Sequence, residues 1–173
     1  MKVLVTGTST GIGRGIAEKF LAEGHTVIGL DVAESTIAHE NYAHYIADVA
    51  CPEQLPAVEG VEILINNAGV QDSGRDIDVN LRGTIYCTEK YGIQPNIKSI
   101  VMTASVSAHN GAEFPEYCAS KGGVLAYTKN VALRVAKYGA TCNSISAGGV
   151  ITELNAHILE NPALWDQVMA ETL

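Results

Sequence analysis

Tyr117 and Lys121 stand four residues apart in the run YCASK. On a helix that spacing puts both side chains on one face. A free phenol has a pKa of about 10, too high for a base at neutral pH. A neighbouring ammonium favours the phenolate and lowers that value. Tyr117 can then take a proton from an alcohol or return one to a forming alkoxide. Taken alone the pair is ordinary, since any surface helix can carry Tyr and Lys at this interval. Ser105 lies twelve residues before Tyr117, in TASVSA, after an apolar run. Its hydroxyl can hydrogen-bond a substrate oxygen and stabilise developing charge. Ser107 is its rival, and both can equally be turn formers. Cys118, beside Tyr117, has no His or second Cys nearby in sequence and reads as a neutral thiol.

A second chemistry is written near the N-terminus. The run TGTSTGIG, Thr6 to Gly13, falls between an apolar β-type run and a helical pattern. Gly7 permits a sharp exit from a strand, Gly11 lets the backbone approach a phosphate, and Gly13 allows a helix to pack closely on a sheet. The helix that follows aims unpaired N–H groups and its positive dipole end at an anion. Ser9 and Thr10 can add hydroxyl donors. Asp31 ends the next apolar run, about 20 residues on, where an acid accepts hydrogen bonds from a ribose 2′-hydroxyl. It would repel a 2′-phosphate, and neither Thr10 nor Val32 is basic, so NAD is favoured over NADP. The bland alternatives are a tight turn and a helix cap.

The elements that must position these groups follow from periodicity. Strands are expected at Val3–Thr6, Thr26–Leu30, Ala43–Ala47, Glu62–Asn66, Ser99–Ala104 and Ala140–Ile145. Several are nearly continuous apolar runs, as strands buried on both faces of a parallel sheet are. Ile12, Ile16 and Phe20, flanked by Ala17 and Leu21, mark a first helix that Gly24 stops. A second runs from near Asp76 toward Tyr91, and a third from about Pro115 to Lys137. Between the second and third strands the crossover helix is brief or missing. The alternation implies a doubly wound Rossmann-type α/β fold, three layers α/β/α with about six strands, as a single domain over 1–173.

Composition limits the partners. Hydrophobic residues make up 47% and charged residues 17% of the 173, a globular balance. The net charge is −8 and no Lys/Arg stripe exists, which argues against nucleic acid and anionic membrane as partners. The chain opens directly into Lys2-Val3-Leu4-Val5, so no signal peptide and no membrane span are expected. Four cysteines without CxxC spacing and five histidines without a ligand motif read as reduced thiols in a cytoplasmic protein with no metal.

Further motifs follow in order. Asp48-Val49 comes after the third strand, Asn66-Asn67-Ala68-Gly69 ends the fourth, and Asn80 lies in DVNLRGT. Singly, Asp48 could be a turn residue before Pro52 and NNAG a loop. Together with the GxxxGxG spacing and YCASK, they resemble the short-chain dehydrogenase/reductase family from Met1 to about Thr152. That resemblance implies an NAD-dependent oxidoreductase that moves a hydride between the nicotinamide and a small-molecule alcohol or ketone. Its catalytic set would be Asn80, Ser105, Tyr117 and Lys121. Tyr117 would be the acid/base, Ser105 the donor to the substrate oxygen, and Asn80 the holder of a relay water. Lys121 would lower the Tyr117 pKa and bind the nicotinamide ribose.

Gly7, Ser9, Thr10, Gly11, Ile12, Gly13 and Asp31 would hold the dinucleotide at the glycine turn. Asp48 and Val49 would meet adenine, Asn67, Ala68 and Gly69 would line the adenosine ribose, and Val150 and Thr152 would meet the carboxamide and pyrophosphate. A homodimer or homotetramer is implied through the helices beginning near Asp76 and Pro115, where Ile85, Val124, Leu125, Val131 and Leu133 supply apolar surface. The alternatives are a non-catalytic NAD-binding sensor and an assembly protein on the same fold. A proton relay favours the enzyme, because binding alone needs none.

The chain departs from the family in three places. Ala147-Gly148 stands where a Pro-Gly turn is usual, the loop after Gly69 is brief, and the sequence stops at Leu173 within or just after the expected substrate-covering helices Glu153–Met169. A C-terminally shortened member is therefore expected. The outer edge of Ala140–Ile145 would be covered by the segment after Thr152, by a partner subunit, or by the remainder of a longer product.

Overall fold

The computed structural model describes every residue except 113, 153–157, 159 and 172–173. Six parallel strands form one sheet: β1 (Lys2–Thr6), β2 (Thr26–Asp31), β3 (Tyr42–Ile46), β4 (Ile63–Asn66), β5 (Ser99–Ser105) and β6 (Thr141–Ala147). Their order is β3-β2-β1-β4-β5-β6. Each observed strand lies within two residues of its expected limits. The chain winds outward twice from β1, so the order reverses between β1 and β4. That reversal opens a crevice at the carboxyl ends of these two strands.

Strand β1 lies between β2 and β4, with Leu4 opposite both Ile28 and Leu64. Val3, Leu4 and Val5 are fully buried, which is why this strand reads as an unbroken apolar run rather than an alternation. On one face α1 (Gly11–Ala22) packs Ala17 and Leu21 against Val3, Val5, Val27 and Ile65. The other face is covered by α2 (residues 77–92) and by α4 (Pro115–Val135). Cys87, Tyr91, Val124, Val131 and Val135 meet Leu4, Leu64, Ile100 and Met102 there. Two further α-helices are α3 (Ser107–Asn110) and α5 (Pro162–Glu171). The expected helical segment Glu153–Met169 lies partly outside the described residues, and its later part belongs to α5.

Helix α2 is unusual inside. It is a continuous run of a π-helical stretch Ile77–Gly83, an α turn Thr84–Cys87 and a second π stretch Thr88–Gly92. Widened turns of this kind alter which carbonyls are bonded along the helix and recur at functional sites. Asn80 lies in the first of them.

Residues 32–41 form no helix, as the thin apolar pattern there implies. Only Ile37 packs on the α1 side of the sheet. Ser35 Oγ donates to Ile37 O, Thr36 Oγ1 donates to Ser9 O, and the segment is held by hydrogen bonds instead of a packed face. Tyr45 and Ile46 on β3 therefore stay 41% and 57% exposed. At the opposite edge, β6 pairs only with β5 among the described residues. Ile145 is 61% exposed there.

At Gly7 and Gly13 the passage from β1 to α1 leaves no room for a side chain. Gly7 has φ +76°, and a Cβ on Gly13 would lie 1.9 Å from Gly7 O. The obstruction is backbone, which cannot swing aside. Gly13→Ala is expected to cost about 1–3 kcal/mol through overpacking. Urea unfolding with an unchanged slope and a lower midpoint would register it.

Candidate active site

Strand β1, the NNAG segment and the second strand meet at the crevice. Thr6 Oγ1 accepts from Asn67 N at 3.0 Å and Ala68 N at 2.9 Å. Asn67 Nδ2 donates to Thr6 O at 3.1 Å and to Gly7 O at 3.3 Å. The Asn67 side chain thus straps the end of β4 to the glycine turn. Helix α1 starts at Gly11 beside an open cleft of about 530 Å³ whose walls include Gly11, Ile12, Gly15, Val150 and Thr152. Thr10 precedes the helix in extended conformation and its hydroxyl makes no cap bond.

Ser9 is 3% exposed and turned toward β2. Its N–H donates to Asp31 Oδ2 at 2.9 Å and its Oγ to Ala33 O at 3.3 Å. The other oxygen of Asp31 accepts from Ala33 N at 3.0 Å. The carboxylate is held from both sides at the end of β2, next to the glycine turn. Asp48 binds Arg75 Nη2 at 2.6 Å and accepts from Ala50 N at 2.9 Å. Partial burial raises its carboxyl pKa, but the Arg75 guanidinium and the amide outweigh that and hold it below the usual range. Val49 is 5% exposed, within the core on the α2 side.

The second group gathers at the carboxyl end of β5. Tyr117 and Lys121 lie one turn apart on α4, with Lys121 Nζ 5.7 Å from the Tyr117 ring centre. Lys121 is 4% exposed and donates to Thr103 O at 2.9 Å. Ser105 ends β5 two residues further on, its Oγ 3.1 Å from Ser107 Oγ and accepting from Ser107 N at 3.2 Å. The two serines weighed as rivals are hydrogen-bonded to each other.

Asn80 is 1% exposed. Its Oδ1 accepts from Val70 N at 2.8 Å, and its Nδ2 donates to Val70 O at 2.9 Å and to Ser120 Oγ at 3.0 Å. Ser120 Oγ donates in turn to Tyr117 O at 2.7 Å. This amide joins three parts: the loop after β4, α2 and the helix carrying Tyr117. A Cβ added to Gly69 would lie 3.1 Å from Asn80 Oδ1 and 3.3 Å from Lys121 Nζ. Gly69 therefore marks the spot on which both side chains converge.

Three contributors were not picked out from sequence. Ser120 sits inside YCASK, and its position three residues after Tyr117, on the core face, was the available signal. Thr103 acts through its carbonyl, which no side-chain pattern reveals. Asp76, 1% exposed, accepts from Asp72 N at 3.0 Å and from Ser73 N and Oγ at 2.9 and 3.0 Å. It folds the brief loop after Gly69 onto the start of α2. Its place just before an apolar helical pattern was the clue.

A doubly wound sheet with a glycine turn at its switch point defines a Rossmann-type domain, here carrying a Tyr–Lys pair beside the crevice. Residues 1–163 match the family model of the short chain dehydrogenases, and the chain belongs to that family of oxidoreductases. It is 30% identical to the 2-(R)-hydroxypropyl-CoM dehydrogenase of Xanthobacter autotrophicus, over 96% of this chain and 81% of that protein. Among solved structures it resembles the aldohexose dehydrogenase of Thermoplasma acidophilum, with TM-score 0.78 and 31% identity over 96% of this chain and 75% of that one. It also resembles a 3-oxoacyl-acyl-carrier-protein reductase from Brucella melitensis in complex with NAD. That likeness has TM-score 0.81 and 28% identity over 96% of this chain and 79% of that one. No helix among the described residues is long and apolar enough to cross a membrane.

Burial brings the Lys121 pKa down from its usual 10.5 to about 8, against the opposing charge of Asp76. Below pH 8 both folded and unfolded chains hold this proton, and the cost of burying the charge is fully present. Between 8 and 10.5 the unfolded chain binds the extra proton, so this group's share of stability rises with pH. Cys87 and Cys142, pushed up by burial to about 12 and about 11, act in the opposite direction. The comparison with Lys121→Met removes them. Stability of the parent relative to that variant should rise by on the order of 2 kcal/mol between pH 8 and 10 in chemical denaturation.

Proposed function

We propose that this chain is an NAD(H)-dependent oxidoreductase acting on a small-molecule alcohol or ketone. The observation that carries the proposal is the convergence of Asn80 and Lys121 on Gly69, with Tyr117 one helical turn from Lys121. A dinucleotide fits the residues present. The glycine turn is a cradle that a single Cβ would fill, α1 opens on the cleft, and Asp31 stands at the end of the second strand. Bound NAD supplies hydride acceptance and donation at its nicotinamide.

The chain's own residues do the rest. Asp31 accepts from the adenosine ribose diol and repels a 2′-phosphate. Gly7, Gly11, Ile12 and Gly13 offer backbone amides to the pyrophosphate, with Val150 and Thr152 on the far wall. Ser105 donates to the substrate oxygen. Tyr117 takes the hydroxyl proton during oxidation and returns it during reduction. The Lys121 ammonium favours the phenolate and donates to the nicotinamide ribose. Asn80, clamped to Val70 and Ser120, keeps α2 and α4 in register for that transfer. Asp48 and Val49 face the adenine, and Asn67, Ala68 and Gly69 its ribose. Single-domain organisation over 1–173 and a cytoplasmic setting complete the reading, the latter supported by four unpaired cysteines.

Tyr117→Phe should lower turnover by about 10²–10⁴-fold and leave dinucleotide binding nearly intact, measured by reduced-cofactor absorbance across a panel of alcohols and ketones and by titration. Full activity in that variant would remove Tyr117 from the proton step. NAD(H) should bind more tightly than NADP(H), and Asp31→Ala should narrow the gap.

A homodimer or homotetramer through α2 and α4 is the expected assembly. Val124 and Val131 are consumed by the sheet, whereas Leu133 is 81% exposed on α4. Ile85 and Leu125 are half-buried. Light scattering at micromolar concentration should give a multiple of the 18.3 kDa chain mass.

A further inference from the structure

The edge strand β3 carries a hydrogen-bonded pair that the proton-transfer chemistry does not use. Tyr42 reaches from β3 over Gly29 of β2 and sets its hydroxyl 2.9 Å from Thr8 Oγ1 and 3.0 Å from His44 Nδ1. A Cβ on Gly29 would lie 2.0 Å from Tyr42 Oη and 2.5 Å from Thr8 Oγ1. The bare backbone at Gly29 is therefore a condition of this contact. Thr8 belongs to the glycine turn and is fully buried. The other ring nitrogen of His44, Nε2, lies 2.9 Å from Ala33 O. A carbonyl can only accept, so Nε2 carries a proton and donates.

Ala33 is the joint through which this pair reaches the dinucleotide crevice. Its carbonyl takes His44 Nε2 and Ser9 Oγ, and its N–H donates to Asp31 Oδ1. Ser9 N holds the other oxygen, Asp31 Oδ2. No helix follows β2 to fix the segment after it. The turn that orients Asp31 is thus secured from the edge strand, by an imidazole on Ala33 and a phenol on Thr8.

We infer that His44 is a positioning residue for cofactor discrimination. By holding Ala33 it keeps the Asp31 carboxylate aimed at the ribose diol, and Tyr42 locks the same arrangement to the glycine turn. The inference rests on the assignment of NAD and of Asp31 made above. A residue that merely stabilised the fold would weaken both cofactors alike. A positioning residue changes their ratio.

The experiment measures dissociation constants of NADH and NADPH by reduced-nicotinamide fluorescence, with melting temperature alongside. The proteins are the unmodified chain, His44→Phe, His44→Gln, Tyr42→Phe and Asp31→Ala. His44→Phe fills the space but cannot donate to Ala33 O. It should narrow the NADH:NADPH preference about five- to tenfold, the worth of one lost hydrogen bond. His44→Gln keeps a donor and should recover most of the preference at similar stability. Tyr42→Phe, which retains the ring over Gly29, should narrow it severalfold and serves as the test should His44→Phe fail to fold. An unchanged ratio in His44→Phe and Tyr42→Phe, with Asp31→Ala still narrowing the preference, would overturn the inference and leave the NAD assignment standing. Equal weakening of both cofactors would also overturn it, as a purely structural role. An unchanged ratio in Asp31→Ala would overturn the NAD assignment and this inference together.

Discussion

Lys121 carries its ammonium to a place where 4% of the residue meets solvent, between the carbonyl of Thr103 and the field of Asp76. Removing an ammonium from water costs several kcal/mol even after relaxation, and much of the surrounding architecture serves to keep that cost tolerable. The carboxylate of Asp76 is held by two amides and a hydroxyl of the loop after Gly69. A short loop can do this because it wraps its own anion. The opposing charge is thereby fixed near Lys121 by covalent proximity to the start of α2, without a long side chain having to find its partner.

The same constraint sets the spacing of the helices. Asn80 can join Val70 and Ser120 only where α2 and α4 approach closely, and Gly69 leaves the space on which Asn80 and Lys121 converge. Each amide and hydroxyl in this group has a partner, and buried polar networks are stabilising only in that condition. Asn66 Oδ1 is the exception among the described side chains, buried without a partner beside the Asn66 Nδ2–Thr88 Oγ1 bond. The exposed i,i+4 ion pairs Arg14–Glu18, Lys19–Glu23 and Arg82–Asp78 are worth a few tenths of a kcal/mol each. They contribute little beside the buried group.

The sheet was legible because parallel strands buried on both faces leave apolar runs, and the glycine turn because only glycine meets its geometry at Gly7 and Gly13. Tyr117 and Lys121 were legible through one helical interval. What spacing could not show was how the polar groups are engaged. Ser9 reads as a phosphate donor in sequence, yet its hydroxyl is spent on Ala33 O. Asp48 reads as an adenine contact, and its carboxylate is occupied by Arg75. Such pairings depend on tertiary approach across the loops after β2 and β4. The π turns of α2 were equally hidden, because the residues that form them also suit an ordinary α-helix.

An acidic chain with net charge −8 is a poor long-range attractor for an anionic dinucleotide, and three carboxylates, Asp31, Asp48 and Asp76, gather around the crevice and its flanking loops. Local engagement resolves the conflict. Asp31 takes two backbone N–H groups, Asp48 takes a guanidinium and an amide, and Asp76 takes two amides and a hydroxyl. Each charge is thus partly compensated within hydrogen-bond distance. The field at the glycine turn is then dominated by the start of α1, whose first-turn amides and dipole are positive and whose first turn holds no acidic residue. Net charge falls off within a Debye length of about 8–10 Å at moderate salt, whereas a phosphate against a helix terminus sits at contact distance. In the proposed NAD(H) complex the phosphates would be held by the backbone at Gly11–Gly13, and the surface charge would bear on the rate of encounter.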